Sequence, residues 1–119
     1  MAEVEEELIR STIRGFSRAI ILWLVSRNPI SGYKITKEMR RLTERRFSPG
    51  IVYPLLYELE DKGLIMGKWA QRGRRRIKYY SITEDGARLL NGLRGLFEKP
   101  VREVLTDLLG ETKMSRTNG

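Results

Sequence analysis

Apolar positions recur at two different periods along this chain, and the change of period divides it. From residue 4 to residue 27, Ile9, Ile13, Phe16, Ile20 and Leu24 fall three or four residues apart, with Leu8, Ala19 and Trp23 widening the stripe. That spacing predicts an amphipathic helix. Glutamates lead the segment and Arg27 closes it, which suits the two ends of a helix dipole, and Asn28-Pro29 stops it. Phe16 and Trp23 read most simply as core residues. Gly15, in mid-helix, costs on the order of 1 kcal/mol relative to Ala, so the first dozen residues are expected to order against a partner.

Ser31 is a suitable N-cap for a second helix running to about Leu42. Ile35, Met39 and Leu42 should face the core, while Lys34, Lys37 and Arg41 form a cationic ridge on another face. Thr43 to Phe47 is a basic connector expected to pair as a short strand. A third helix follows, with Ser48 as N-cap and Pro49 at the first helical position, where a missing N–H costs nothing. Val52, Leu55, Leu56 and Leu59 make its core face, and Gly63 supplies a left-handed residue at its end. Its opposite face carries Gly50, Tyr53 and Tyr57 rather than Lys and Glu, which suits insertion into a groove.

After Gly63 the period shortens towards two. Leu64–Ala70 and Ile77–Ile82 predict a β-hairpin closed through Gln71–Arg76, with Trp69 and Tyr79 on its inner face. Thr83 then caps a last helix. Leu90, Leu93, Phe97, Val101, Val104 and Leu108 run along it, with Leu89, Leu96, Leu105 and Leu109 as an adjoining stripe. One small domain cannot cover that much apolar surface, so it reads as a self-association face. Pro100 should kink this helix or split it just before Lys99. The polar tail, residues 111–119, is expected to be disordered.

The expected fold is therefore mostly α with a small β-hairpin: a winged helix-turn-helix, residues 16–83, with long N- and C-terminal helices, in one domain spanning 1–119. The second and third helices form the helix-turn-helix pair, the hairpin is the wing, and residues 84–110 form the C-terminal dimerisation helix.

Charge sharpens this picture. Residues 27–78 hold 14 Lys/Arg and 5 Asp/Glu, a net of +9 within a chain of net +8. A basic centre between near-neutral ends is the electrostatic footprint of polyanion binding. Arg72, Arg74, Arg75, Arg76 and Lys78 crowd the hairpin tip. The chain has no Cys and no His, which removes thiolates, imidazole bases and the commonest zinc ligands. With no clustered acid pair either, neither an enzyme nor a metal or cofactor site is expected. No apolar run reaches membrane-span length, and the acidic N-terminus is unlike a targeting peptide, so a cytoplasmic protein is expected.

The stretches ILWLVSRNPISGYKITKEM, FSPGIVYPLLYELEDKGLI and RRRIKYYSITEDGARLL together resemble the PadR-like transcriptional regulators over roughly residues 16–93. The most specific part is Ser48-Pro49-Gly50 followed by Tyr53-Pro54, with Gly63-Leu64 closing the helix. Gly32-Tyr33, and Tyr79-Tyr80 through Thr83-Glu84-Asp85-Gly86, support it. The short length and single C-terminal helix look like the family's compact subgroup.

The resemblance implies a homodimeric repressor on a palindromic operator in double-stranded DNA, often relieved by a small aromatic or drug-like effector. It implies dimerisation through the C-terminal helix and the partner's N-terminal helix, residues 4–15, with Ile9 and Ile13 joining the C-terminal stripe. DNA-facing positions carry over onto Tyr33, Lys34, Lys37, Ser48, Pro49, Gly50, Ile51 and Tyr53, and onto the wing at Arg72, Arg74, Arg75 and Arg76; Tyr57, on the same outer face of the helix, is a further candidate that could equally pack under the wing. Ile51 departs from the small hydroxyl residue frequent there; it can only make apolar contact, for example with a thymine methyl. Phe16, Trp23 and Phe97 are the candidate effector contacts. The rival readings are an architectural DNA-binding protein with little sequence preference, and a winged-helix protein-interaction module.

Overall fold

The computed structural model describes the backbone of residues 2–118 and the side chains of residues 2–111. The elements in order are α1 (Ala2–Arg27), β1 (Ile30–Ser31), α2 (Gly32–Thr43), α3 (Pro49–Asp61), β2 (Ile65–Arg72), β3 (Arg75–Ile82), α4 (Glu84–Leu96), a π-helical turn (Phe97–Val101) and α5 (Arg102–Asn118). The strands form one antiparallel sheet in the order β1-β3-β2. No helix among the described residues is long and apolar enough to cross a membrane.

The core lies where α1, α2, α3 and the sheet meet. Ile21, Leu22, Ile35, Met39, Val52, Leu56, Ile65 and Tyr80 are all 2% exposed or less. Two buried hydroxyls are satisfied within their own helices, Ser17 donating to the Ile13 carbonyl and Thr36 to that of Gly32, so neither costs the core an unpaired polar group.

On α1 the buried residues are Ser17, Ile21, Leu22, Leu24 and Val25. Of the stripe expected from spacing, Leu24 is buried and Ile13 and Ile20 pack partly buried against the core, while Ile9 and Phe16 are exposed. Phe16 is 53% exposed and Trp23 lies at the surface, so neither is a core residue of the protomer. Residues 19–25 are apolar throughout, so periodicity alone did not say which side faces inward. Leu42, expected in the core, is 39% exposed.

The connector is a loop, not a strand. Glu44 takes a left-handed conformation (φ 55°) and its N–H caps α2 at the Arg40 carbonyl, while Arg40 donates to the Phe47 carbonyl. The third strand comes instead from the turn before α2, where Ile30 and Ser31 pair with Tyr80 and Tyr79. The hairpin is longer than expected, paired out to Arg72 and Arg75. Positive φ at Gly73 (64°) but not at Arg74 is the pattern of a type II′ turn. Trp69 and Tyr79 do not share an inner face. Trp69 pairs with Lys78 and Tyr79 with Lys68, so they lie on opposite faces; Tyr80 is the buried aromatic and Trp69 is 58% exposed.

Pro100 neither splits nor ends the last helix. The chain stays helical through the π turn, which absorbs the missing N–H by widening one turn. The backbone of α5 runs to Asn118, past the point where the sequence places the start of a disordered tail; the side chains beyond Glu111 lie outside the described residues. The molecule measures 61 × 31 × 21 Å with a radius of gyration of 17.2 Å, against about 13.5 Å for a compact chain of this length. The long terminal helices account for the excess.

One joint closes the base of the wing. α3 ends with Gly63 at φ 73° and the Leu64 N–H on the Leu59 carbonyl. Thr83 donates its hydroxyl to the Gly63 carbonyl and its N–H to that of Leu64, and accepts from the Gly86 N–H. Gly86 sits against the Leu64 carbonyl with no room for a methyl group. Gly86→Ala is expected to destabilise the fold by about 1–3 kcal/mol through this overpacking, read as a lower midpoint in urea denaturation.

Candidate nucleic-acid interface

The start of α2 (Ser31, Gly32 and Tyr33), Tyr53 and Tyr57 of α3, and the hairpin from Arg75 to Lys78 with Trp69 line one cleft. Ser31 caps α2 by accepting the Lys34 N–H at 3.2 Å. This places Tyr33, Lys34 and Lys37 on an exposed edge, with the Lys37 ammonium 5.6 Å from the Tyr33 ring centre. Arg41, expected on the same ridge, is held by Glu38 at 3.0 Å.

Ser48, Pro49, Gly50 and Ile51 are exposed at the start of α3. Ser48 occupies the cap position but its hydroxyl makes no capping bond. The Ile51 and Val52 N–H groups both turn to its carbonyl, at 3.0 and 3.1 Å. Among the described residues the Gly50 N–H has no acceptor. The helix therefore presents an uncommitted hydroxyl and a free N–H at its positive end, which suits an anion.

Tyr53 is only half exposed. Its phenol stands over Gly32, where any side chain would collide with it. It wedges the start of α2 against α3 as well as facing outward. Tyr57, one turn on, is 61% exposed. It lines a cleft of about 690 Å³ between α3 and the wing, with Trp69, Arg75, Arg76 and Lys78 on the far wall. Pro54 is accommodated inside an unbroken α3.

At the wing, Arg74 and Arg75 are exposed, with no acid partner among the described residues. Arg72 donates to the Tyr79 hydroxyl at 3.2 Å, and Arg76 lies 5.2 Å from the Trp69 ring centre. Sequence reasoning missed how the wing is aimed. Glu60 on α3 accepts from Lys78 at 3.0 Å and from the Gly67 N–H at 3.2 Å. Gly67 leaves the space through which the Lys78 side chain crosses. A glycine inside a strand signals such a close approach, and this was the available clue.

The expected dimerisation residues divide. Leu90 is 6% exposed and belongs to the protomer's own core, because α4 packs on α1. Ile13, Leu93, Phe97 and Val101 are partly covered, while Ile9, Val104 and Leu108 are 45%, 62% and 56% exposed. Of the three candidate effector contacts, Phe16 and Phe97 meet with ring centres 5.5 Å apart. They line a cavity of about 710 Å³ floored by Ile20, Leu59 and Leu93. Trp23 is not in it; its ring lies under Arg27, 5.0 Å away.

At the rim of that cavity Arg18 on α1 binds both oxygens of Glu58 on α3, at 2.5 and 2.9 Å, with Lys62 at 3.6 Å. These donors hold the Glu58 carboxyl well below its usual range, at about 2. A carboxyl depressed on folding stabilises the fold above its ordinary pKa, and that contribution is lost as pH falls towards the depressed value. Between about pH 5 and pH 2 the wild type is expected to lose more melting temperature than Glu58→Gln, followed by circular dichroism; parallel curves would remove this pair as a contributor.

Residues 21–92 match the transcriptional regulator PadR-like family. The chain is 35% identical over 78 residues to the transcriptional regulator YqjI of Escherichia coli, covering 64% of this chain and 36% of that protein, so it spans only about a third of that relative's length. It is 34% identical over 97 residues to the transcriptional regulator Rv3488 of Mycobacterium tuberculosis, covering 78% and 90% of the two chains. Among solved structures, a PadR-like transcriptional regulator from Bacillus cereus superposes with a TM-score of 0.75 at 25% identity, covering 83% of this chain and 96% of that one. Bacillus subtilis PadR in complex with operator DNA superposes with a TM-score of 0.58 at 26% identity, covering 64% of this chain and 46% of that one. The family match spans the helix-turn-helix, the wing and the start of α4 together, and the chain belongs to the PadR-like family of transcriptional regulators.

Proposed function

We propose that this regulator is a homodimeric, sequence-specific DNA-binding repressor that acts on a palindromic operator. The observation that carries the reading is one cleft that joins the start of α2 at Tyr33, Tyr53 and Tyr57 of α3, and Arg75 and Arg76 of the wing, on a helix whose N-terminal cap hydroxyl is uncommitted. The superposition on a PadR solved with operator DNA supports it. In this reading two α3 helices enter successive major grooves about one turn of the duplex apart. The Ser48 hydroxyl and Gly50 N–H meet phosphate, Ile51 makes apolar contact with base edges, and the wing lies along the backbone. The exposed stripe of α5 and Ile9 of α1 support pairing through the terminal helices. The Phe16–Phe97 cavity is the place for a flat apolar effector. It abuts the last turn of α3 at Glu58 and Leu59, so occupancy would be felt by the recognition helix.

Selection of bound sequences from random duplex DNA tests specificity and symmetry together; a recovered palindrome supports the regulator, and uniform recovery supports an architectural protein. Arg74→Gln with Arg75→Gln is expected to weaken binding to all sequences and lower the log–log salt slope by about 1–2 units. Tyr53→Ala is expected instead to narrow the gap between selected and random DNA. Leu105→Glu with Leu109→Glu, on the exposed face of α5, is expected to yield monomers in analytical ultracentrifugation and to weaken operator binding at least tenfold. A dimer of undiminished strength would move the interface elsewhere.

A further inference from the structure

Four arginines converge on a second basic site that neither the wing nor the α2 ridge includes. Arg10 and Arg14, one turn apart on α1, and Arg45 and Arg46, from the connector, surround a pocket of about 470 Å³ floored by Ile13, Phe47 and Ile51. Phe47 is buried, and it anchors the connector arginines beside α3. Glu6 pairs with Arg45 at 3.1 Å; Arg10, Arg14 and Arg46 have no acid partner among the described residues. Like charges one turn apart on a helix repel, so this arrangement is most favourable when an anion sits between them.

The position of the pocket says which anion. Its wall includes Ile51, in the first turn of α3, next to the open Gly50 N–H and Ser48 hydroxyl. Ile51 lies roughly 200° around α3 from Tyr53, so the arginines flank the recognition helix on the side away from the wing cleft. A helix lying in a major groove has a phosphate backbone on each side of it. The wing addresses one backbone, and the other needs a cationic counterpart.

We infer that Arg10, Arg14 and Arg46 form a second phosphate clamp, which grips the DNA backbone on the flank of α3 opposite the wing. The inference rests on the DNA-binding reading above. It makes α1 part of the DNA interface as well as of the dimer, so its N-terminal half is ordered from both sides. Arg45 is tethered by Glu6 and contributes less.

The test is fluorescence anisotropy on duplex DNA across a salt series, using the full-length wild type, Arg10→Gln/Arg14→Gln, Arg46→Gln, Arg10→Lys/Arg14→Lys, and Arg74→Gln/Arg75→Gln as the reference. Circular dichroism melts establish that each variant is folded. The double Gln variant is expected to lower the salt slope by about 1–2 units and Arg46→Gln by about 1, because each neutralised phosphate contributes about 0.9. Selected and random DNA should be affected equally, and the Lys pair should restore the slope. A slope unchanged in these variants, while the wing variant lowers it, overturns the clamp and leaves the DNA reading intact. Weaker operator binding at an unchanged slope also overturns it. A wild type that binds no duplex at all overturns the underlying reading instead.

Discussion

Every outward-facing feature of this protein depends on burial of one face of α3. Val52, Leu55, Leu56 and Leu59 are each 5% exposed or less, and burying a side chain of this size stabilises by about 1.5–3 kcal/mol. Because that face is locked against α1, α2 and the sheet, the rotation of α3 about its own axis is set. Ser48, Gly50 and Ile51 then face solvent at its N-terminus, and Tyr57 faces the wing.

Polar contacts refine what burial sets. Glu60 holds Lys78 and the Gly67 N–H, tying the hairpin to α3 near its C-terminus. Thr83 ties both ends of the hairpin together at its base. A two-stranded ribbon alone is marginal in water; here these contacts and the short β1 give it a defined angle. Lys78 is spent on this positioning, so the hairpin's outward charge rests on Lys68, Arg72, Arg74, Arg75 and Arg76, all exposed. Tyr53 acts likewise on the other side, filling the space above Gly32 that sets how closely α2 approaches α3.

The terminal helices answer to a different constraint. Leu90 and Leu93 pack α4 onto α1, but the apolar surface continues beyond them along the π turn and α5, where Val104, Leu105 and Leu109 are 49% to 68% exposed. The π turn lets a proline sit within this stretch without breaking it. The Arg18–Glu58 pair and the cavity beside it join this region to the last turn of α3.

Sequence alone determined the order of the helices and the hairpin, the capped starts of α2 and α4, the left-handed Gly63, the core face of α3 and the basic character of the centre. These follow from local chemistry: caps, glycine conformations and periodicity act within one or two turns. It also carried the family, through Ser48-Pro49-Gly50, Tyr53-Pro54 and the motif opening α4. Tertiary structure alone decided which side of α1 faces inward, because residues 19–25 are apolar all round and only packing against α2 and α4 selects Ile21 over Phe16. It decided that Trp69 is exposed while Tyr80 is buried: the register puts both on one face of the hairpin, but Tyr80 lies at its base over the core and Trp69 lies further towards the tip. It also brought Arg10 and Arg14 to Arg45 and Arg46, and Glu60 to Lys78. Those groups are separated by 18 to 36 residues in the chain, and no local rule acts over that distance.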